Sequence, residues 1–234
     1  MTAIFKREFI SYFTSALGYV FLAVFYFFAG FFFYQIVLLG NSTRIGMICS
    51  QLFTIVVFII PIITMRLLSD DKRQKTDQAL LTSPVSLSAI VYGKYLAAFT
   101  IFASGVLITL VYAFVMSAFR PLNWPEIFGN VVGLLLMGGA MISIGLLISA
   151  MTESQVVAAV ITFGVSLGLL LMEMAAGSVN HPILSAIVNG LSFQSRYQPF
   201  TSGLFNISNV LYFISVVVVF NFITVRVIEK RRWS

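Results

Sequence analysis

Charge is scarce in this chain. Only 9% of its 234 residues are Asp, Glu, Lys or Arg, against roughly a quarter in an ordinary soluble domain, which excludes a water-soluble globule. Cysteine and histidine are scarcer still, with one of each. Cys49 alone allows no internal disulfide. His181 stands alone before Pro182, which supports neither a His-based metal centre nor a Ser-His-Asp triad. A Walker-type loop, Gly-x-x-x-x-Gly-Lys-Ser/Thr, is missing: Gly93-Lys94 lacks the upstream glycine and the following hydroxyl residue. No ATP hydrolysis by that route, no metal site and no enzyme chemistry are expected of this chain.

What the chain has in quantity is apolar surface: 59% hydrophobic residues, 24 Phe and a mean hydropathy of +1.00. A bilayer crossing takes about 20 apolar residues. Six runs meet that length, near 17–39, 45–65, 96–118, 127–150, 155–176 and 209–228. Continuous apolar runs predict helices, since strands in lipid need alternation and a closed barrel. The expected fold is an all-α membrane protein of six transmembrane helices in a single transmembrane domain, 1–234. The first run follows Lys6 and Arg7 like a signal sequence, but its length, its Phe content and the lack of a small-x-small site predict an uncleaved span.

Basic residues set the expected orientation. With both termini cytoplasmic, eleven of the fourteen fall inside (Lys6, Arg7, Arg66, Lys72, Arg73, Lys75, Lys94, Arg226, Lys230, Arg231, Arg232), leaving Arg44, Arg120 and Arg196 outside. The same distribution accounts for the +6 net charge as orientation marking, with no nucleic acid required.

Three segments are not simple spans. Residues 1–16 mix Ile4, Phe5, Phe9, Ile10 and Phe13 with Lys6, Arg7 and Glu8, a pattern for an interfacial amphipathic helix. Residues 66–95 form the one long cytoplasmic segment, with a charge cluster from Asp70 to Lys75 and a short helix expected from Thr76 to its end at Pro84. Residues 177–208 are placed outside yet are largely apolar, with breaks at Pro182, Gly190, Pro199 and Gly203, and predict short re-entrant helices. Between spans four and five, Thr152-Glu153-Ser154-Gln155 has the spacing of a capping box.

Two constellations lie within the spans. Gln155, Ala159, Thr162, Ser166 and Glu173 share one face of the fifth. Such a stripe either lines a translocation path, with Glu173 as a protonation site, or serves hydrogen bonding between helices. Gly164-x-x-x-Gly168, with Gly129 and Gly133 on the fourth span, marks close helix packing.

The order of these parts resembles the ABC-2 type permease family, the membrane subunit of ABC exporters. Phe5-Lys6-Arg7-Glu8 through Tyr12-Phe13 and Gly18-Tyr19-Val20 resembles its elbow helix. Pro61 through Met65-Arg66, Asp70-Asp71-Lys72-Arg73, Thr76 to Leu81, Pro84-Val85-Ser86, Ile90 and Gly93-Lys94 resembles its coupling-helix stretch, with Lys75 and Gln78 standing where Gly and Glu are usual. Ile144-Gly145-Leu146 with Ser149 and Thr152 resembles its hairpin. Phe200 through Gly203 to Tyr212-Phe213 and the ending Lys230-Arg231-Arg232-Trp233 are most similar to the gliding-motility-type, GldF-like branch.

The resemblance implies a bacterial inner-membrane permease working as a pair, identical or related, above two cytosolic ATPase subunits that hold the ATP and Mg, with a GldG-like auxiliary subunit as a further partner. It also implies contact with the ATPase through Arg73, Thr76, Asp77, Gln78, Leu80, Leu81 and Pro84. Two other classes stay open: an ion-coupled secondary transporter using Glu173, and a membrane scaffold that moves nothing. The substrate is not ranked by any residue.

Overall fold

The computed structural model describes residues 1–40, 45–75, 85–176, 190 and 192–233, with the side chains of 172–176 and 231–233 left aside. Among the described residues every element is helical, and five stretches are long and apolar enough to cross a membrane: Ala16–Leu39, Gly46–Arg73, Leu87–Ser117, Trp124–Met151 and Ile207–Lys230.

Helix α1 (Thr2–Thr14) ends where Ser15 turns extended, at φ −102° and ψ 159°. Helix α2 (Ala16–Phe33) follows and runs into a π-helical turn, Tyr34–Leu39. Gly18 makes the α1–α2 corner: a Cβ there would lie 2.6 Å from the Tyr12 carbonyl oxygen. Along α1, Phe5, Phe9 and Phe13 continue ring to ring into Tyr19 of α2, an i, i+4 series that makes one aromatic face.

Helix α3 (Gly46–Thr64) carries Pro61 and is followed by the short α4 (Ser69–Arg73). Helices α5 (Leu87–Val106) and α6 (Ile108–Ser117) form one rod interrupted at Leu107. The rod starts nine residues before the expected 96, at Leu87, where Ser86 Oγ caps it by accepting from Ala89 N at 3.4 Å, and it carries Lys94 within the helix.

Helix α7 (Trp124–Met151) is the hub, packing on α3, on α5, on α8 (Gln155–Ala176), on α9 (Phe193–Thr201) and on α10 (Ile207–Trp233). Glycines make that possible. Gly133 receives Phe200, Gly138 lies on the Phe102 ring and Gly145 on Thr64. With neighbours on most sides, α7 is buried around most of its circumference.

The run at 155–176 is the helix α8 (Gln155–Ala176), whose residues 155–171 are described with their side chains and are apolar. One expectation needs correction. The α7–α8 turn is not closed by Thr152: Ser154 is the cap, its Oγ accepting from Val157 N at 3.5 Å, while Thr152 Oγ1 donates to the Ser154 carbonyl at 3.3 Å. Gln155 cannot reach back to complete the box because its amide is held by Asp70. Of the segment expected to be re-entrant, 177–189 and 191 lie outside the described residues; its remainder forms α9, capped by Ser192 Oγ on Ser195 N at 3.0 Å. Gly203 ends that helix at φ +73°, a conformation glycine adopts without steric cost.

A buried ion cluster as candidate coupling site

Three of the chain's eight acidic residues converge at one end of the bundle, Glu8 from α1 and Asp70 and Asp71 from α4. The centre is Lys94 of α5, 1% exposed. Its Nζ lies 2.9 Å from Glu8 Oε1 and 2.6 Å from Asp71 Oδ2. Arg7 closes the outside, with its guanidinium 2.7 Å from Glu8 Oε1 and 3.5 Å from Asp71 Oδ1. Burial alone would lower the Arg7 pKa, but the Glu8 hydrogen bond and the charges of Glu8 and Asp71 outweigh it and raise the value.

A second ring of contacts centres on Asp70. Arg66 Nε lies 3.5 Å from its Oδ2, and Gln155 at the start of α8 donates to Oδ1 at 2.7 Å. Arg66 also donates to Ser11 Oγ of α1 at 2.9 Å. The two aspartates therefore tie α1, α4, α5 and α8 together.

Backbone groups are satisfied in the same place. Ser149 near the end of α7 accepts from Leu68 N and Ser69 N, both at 3.0 Å, and donates to the Met65 carbonyl at 3.3 Å. A hydroxyl from a different helix thus caps α4, whose opening amides have no partner within their own helix. Lys72 Nζ donates to the Ala150 carbonyl, placing a cation at the C-terminal end of α7, where the helix dipole favours it. Tyr12 of α1 donates to the Ile63 carbonyl at 2.9 Å. Burial pushes the Tyr12 phenol well above its ordinary pKa, and the Glu8 charge pushes it further, so it stays a neutral donor.

Of the residues expected to meet an ATPase, Arg73 lies at the end of α4, exposed, 3.9 Å from Asp70 Oδ1. Thr76, Asp77, Gln78, Leu80, Leu81 and Pro84 lie outside the described residues. What is described flanks them on both sides: Asp71 precedes this segment, Lys94 follows it, and the two are in contact. Lys75, just before the segment, has φ +57°, in the left-handed region that favours glycine, which is physically why Gly suits this position.

The polar stripe of α8 faces inward. Thr162 is 1% and Ser166 2% exposed, and Thr162 Oγ1 donates to the Ala158 carbonyl at 2.7 Å. With Gln155 on Asp70, these three sit between helices of this chain. Glu173 belongs to α8, but its side chain lies outside the description. The glycines divide. A Cβ on Gly129 would lie 2.7 Å from the Phe200 carbonyl oxygen and one on Gly133 2.8 Å from Phe200 Cβ, so α9 packs directly on both. A Cβ on Gly164 or Gly168 meets nothing within 4 Å; no helix among the described residues packs on them.

The Glu8–Lys94–Asp71 triad was not foreseen as a unit. Lys94 reads as an orientation marker, and nothing in its neighbourhood along the chain names partners 86 and 23 positions away. The available signal was the acidic count: with so few carboxylates in an apolar chain, three on one side of the membrane invite pairing with a lysine that interrupts an apolar run.

No curated protein matches the chain. A family model described as "ABC-2 family transporter protein" matches residues 2–231. Members of that family are membrane components that generally work with cytosolic ABC ATPase partners. Together with the several apolar helices of membrane-crossing length, that match makes the chain a member of the ABC-2 transporter family and a multi-pass permease component of an ABC transporter.

Proposed function

We propose that this chain is the force-receiving half of an ATP-driven exporter, and that the Lys94 cluster carries the force. The observation behind the proposal is the clamp on the 76–84 segment: Asp71 before it and Lys94 after it hold each other and Glu8 of α1. A rigid clamp at the base of a loop transmits displacement, because a packed interior has two discrete arrangements and no soft continuum between them. A push from an ATPase on Thr76 to Leu81 therefore reaches α1 and α5 through the triad, α8 through Asp70–Gln155, and α7 through Ser149.

In this reading α8 is the sixth span, α1 lies along the inner membrane surface as the elbow, both termini are cytoplasmic, and the membrane is the bacterial inner one. ATP and Mg belong to two ATPase subunits below. A second permease copy or a related permease covers the α8 face bearing Val156, Val160, Gly164 and Gly168, where apolar side chains and two open glycines offer the close approach that helix pairs in lipid use. The GldF-like ending of the chain supports that branch, with a GldG-like auxiliary subunit as an additional partner.

The test is co-purification with the ATPase subunit. Leu80→Asp together with Leu81→Asp should abolish assembly and ATP turnover above that of the ATPase alone. Wild-type assembly and turnover in that variant would refute the docking. Cross-linking through a cysteine at position 164 in a chain lacking Cys49 should give a covalent permease pair, and a cysteine at 133, under Phe200, should give none.

A further inference from the structure

On the seam between α5 and α10, two cavities follow one another along the same pair of helices. The one nearer the C-terminus, about 470 Å³, is lined by Ser88 and Tyr92 of α5 and by Phe222, Arg226 and Glu229 of α10, among others. The second, about 240 Å³, is almost wholly apolar, with Tyr95 and Phe99 of α5, Leu135 of α7, and Ile214 and Val217 of α10 in its walls. The spacing aligns them along one seam, the groove between α5 and α10. Ser88, Tyr92, Tyr95 and Phe99 step by four, three and four residues along α5, and Ile214, Val217, Asn221, Val225 and Glu229 by three, four, four and four along α10, so each set shares a face.

Between Val217 and Val225 along α10 comes Asn221, 0% exposed and in the lining of neither cavity, with neither its Oδ1 nor its Nδ2 hydrogen-bonded among the described residues. An orphaned carboxamide inside a span is costly and points to a missing ligand or water. The groove also has a charge pattern. Arg226 and Glu229 pair at 2.6 Å and both line its wide end.

We infer that this groove binds one phospholipid with a zwitterionic, ammonium-bearing headgroup. The phosphate meets Arg226, the ammonium meets Glu229, and an acyl chain lies along Tyr95, Phe99 and Val217. Asn221 lies about 7.5 Å from Arg226 along the helix axis, at the depth of the glycerol esters; a lipid wedged between α5 and α10 uncovers it, and Nδ2 then donates to an ester carbonyl and gains the partner it lacks. Charge sets the preference. A purely anionic headgroup would draw Arg226 to its phosphate and bring Glu229 no ammonium in exchange, and a trimethylammonium group carries no N–H for the carboxylate to accept. The membrane placement given above supplies the leaflet, the cytoplasmic one; the groove and its charge pattern do not depend on an ATPase.

Native mass spectrometry of the full chain in detergent, titrated separately with phosphatidylethanolamine, phosphatidylcholine and phosphatidylglycerol, tests this without any partner subunit. Phosphatidylethanolamine should be retained about tenfold more tightly than either of the others. Arg226→Gln with Glu229→Gln should erase the preference, and Val217→Trp, which fills the tail cavity, should lower retention of all three. Asn221→Leu should weaken retention while raising the melting temperature of lipid-stripped protein, a pair of opposite shifts that a merely structural asparagine would not give. Equal retention of the three lipids, or retention unchanged in these variants, would overturn the assignment. Failure of the ATPase to assemble leaves the lipid titration unaffected, so the two proposals fail separately.

Discussion

At the end of the bundle that holds Lys94, elements distant in sequence are joined by charge; at the far end α9 is joined to α7 by shape. Lys94 meets Glu8 and Asp71 in a site almost closed to solvent. Phe200 and Tyr197 instead lie on Gly133, with Asn130 reaching the Thr201 carbonyl at 3.3 Å and accepting from Tyr197 Oη at 3.4 Å. The difference bears on mechanism. Buried ion pairs tolerate rearrangement only as a set, because losing one member strands the others in a low dielectric, whereas a packed aromatic resists through local volume. An end that must hand movement from a loop to several helices gains from the first arrangement, and an end that seals the bundle gains from the second.

The comparison breaks most sharply at Lys94. Lys94→Met removes the cation between two carboxylates and should destabilise the chain by about 3–5 kcal/mol, read as a lowered thermal midpoint in detergent. Gly133→Leu at the far end should cost less, about 1–3 kcal/mol from overpacking against Phe200, and should leave the Lys94 cluster and any ATPase assembly intact. A far-end substitution costing more than Lys94→Met would reverse the ranking of the two ends. The smallest effect sharpens the loop boundary. Lys75→Gly relieves a left-handed backbone and should raise stability by up to about 1 kcal/mol, measured in the same melting assay.

Legibility in the sequence also divides between the two ends. The helices were readable because apolar runs of span length have one solution in lipid, and the break at Gly203 and the packing role of Gly129 and Gly133 followed from residue type. What the residues hide is pairing. Lys94 read as a marker of the cytoplasmic side because its neighbours along the chain contain no carboxylate, and its partners come from α1 and α4 only once α5 is folded against them. For the same reason the stripe of Gln155, Thr162 and Ser166 was legible as a face that lines a path or bonds between helices, but its partners were not, since period alone does not say which neighbour a face meets. Gly164 and Gly168 show the converse: a motif that meets no packing partner among the described residues.

The central claim, that the buried charges transmit force and do not merely hold the fold, is tested most directly by removing all three at once. In Glu8→Gln, Lys94→Met and Asp71→Asn combined, no buried charge is left stranded and the half-exposed Arg7 turns to solvent, so the melting temperature should return close to that of the unmodified chain. ATP turnover by the assembled complex should then lose its dependence on the permease and fall to that of the free ATPase. A triple variant that is stable and still drives permease-dependent turnover at the original rate would contradict the account.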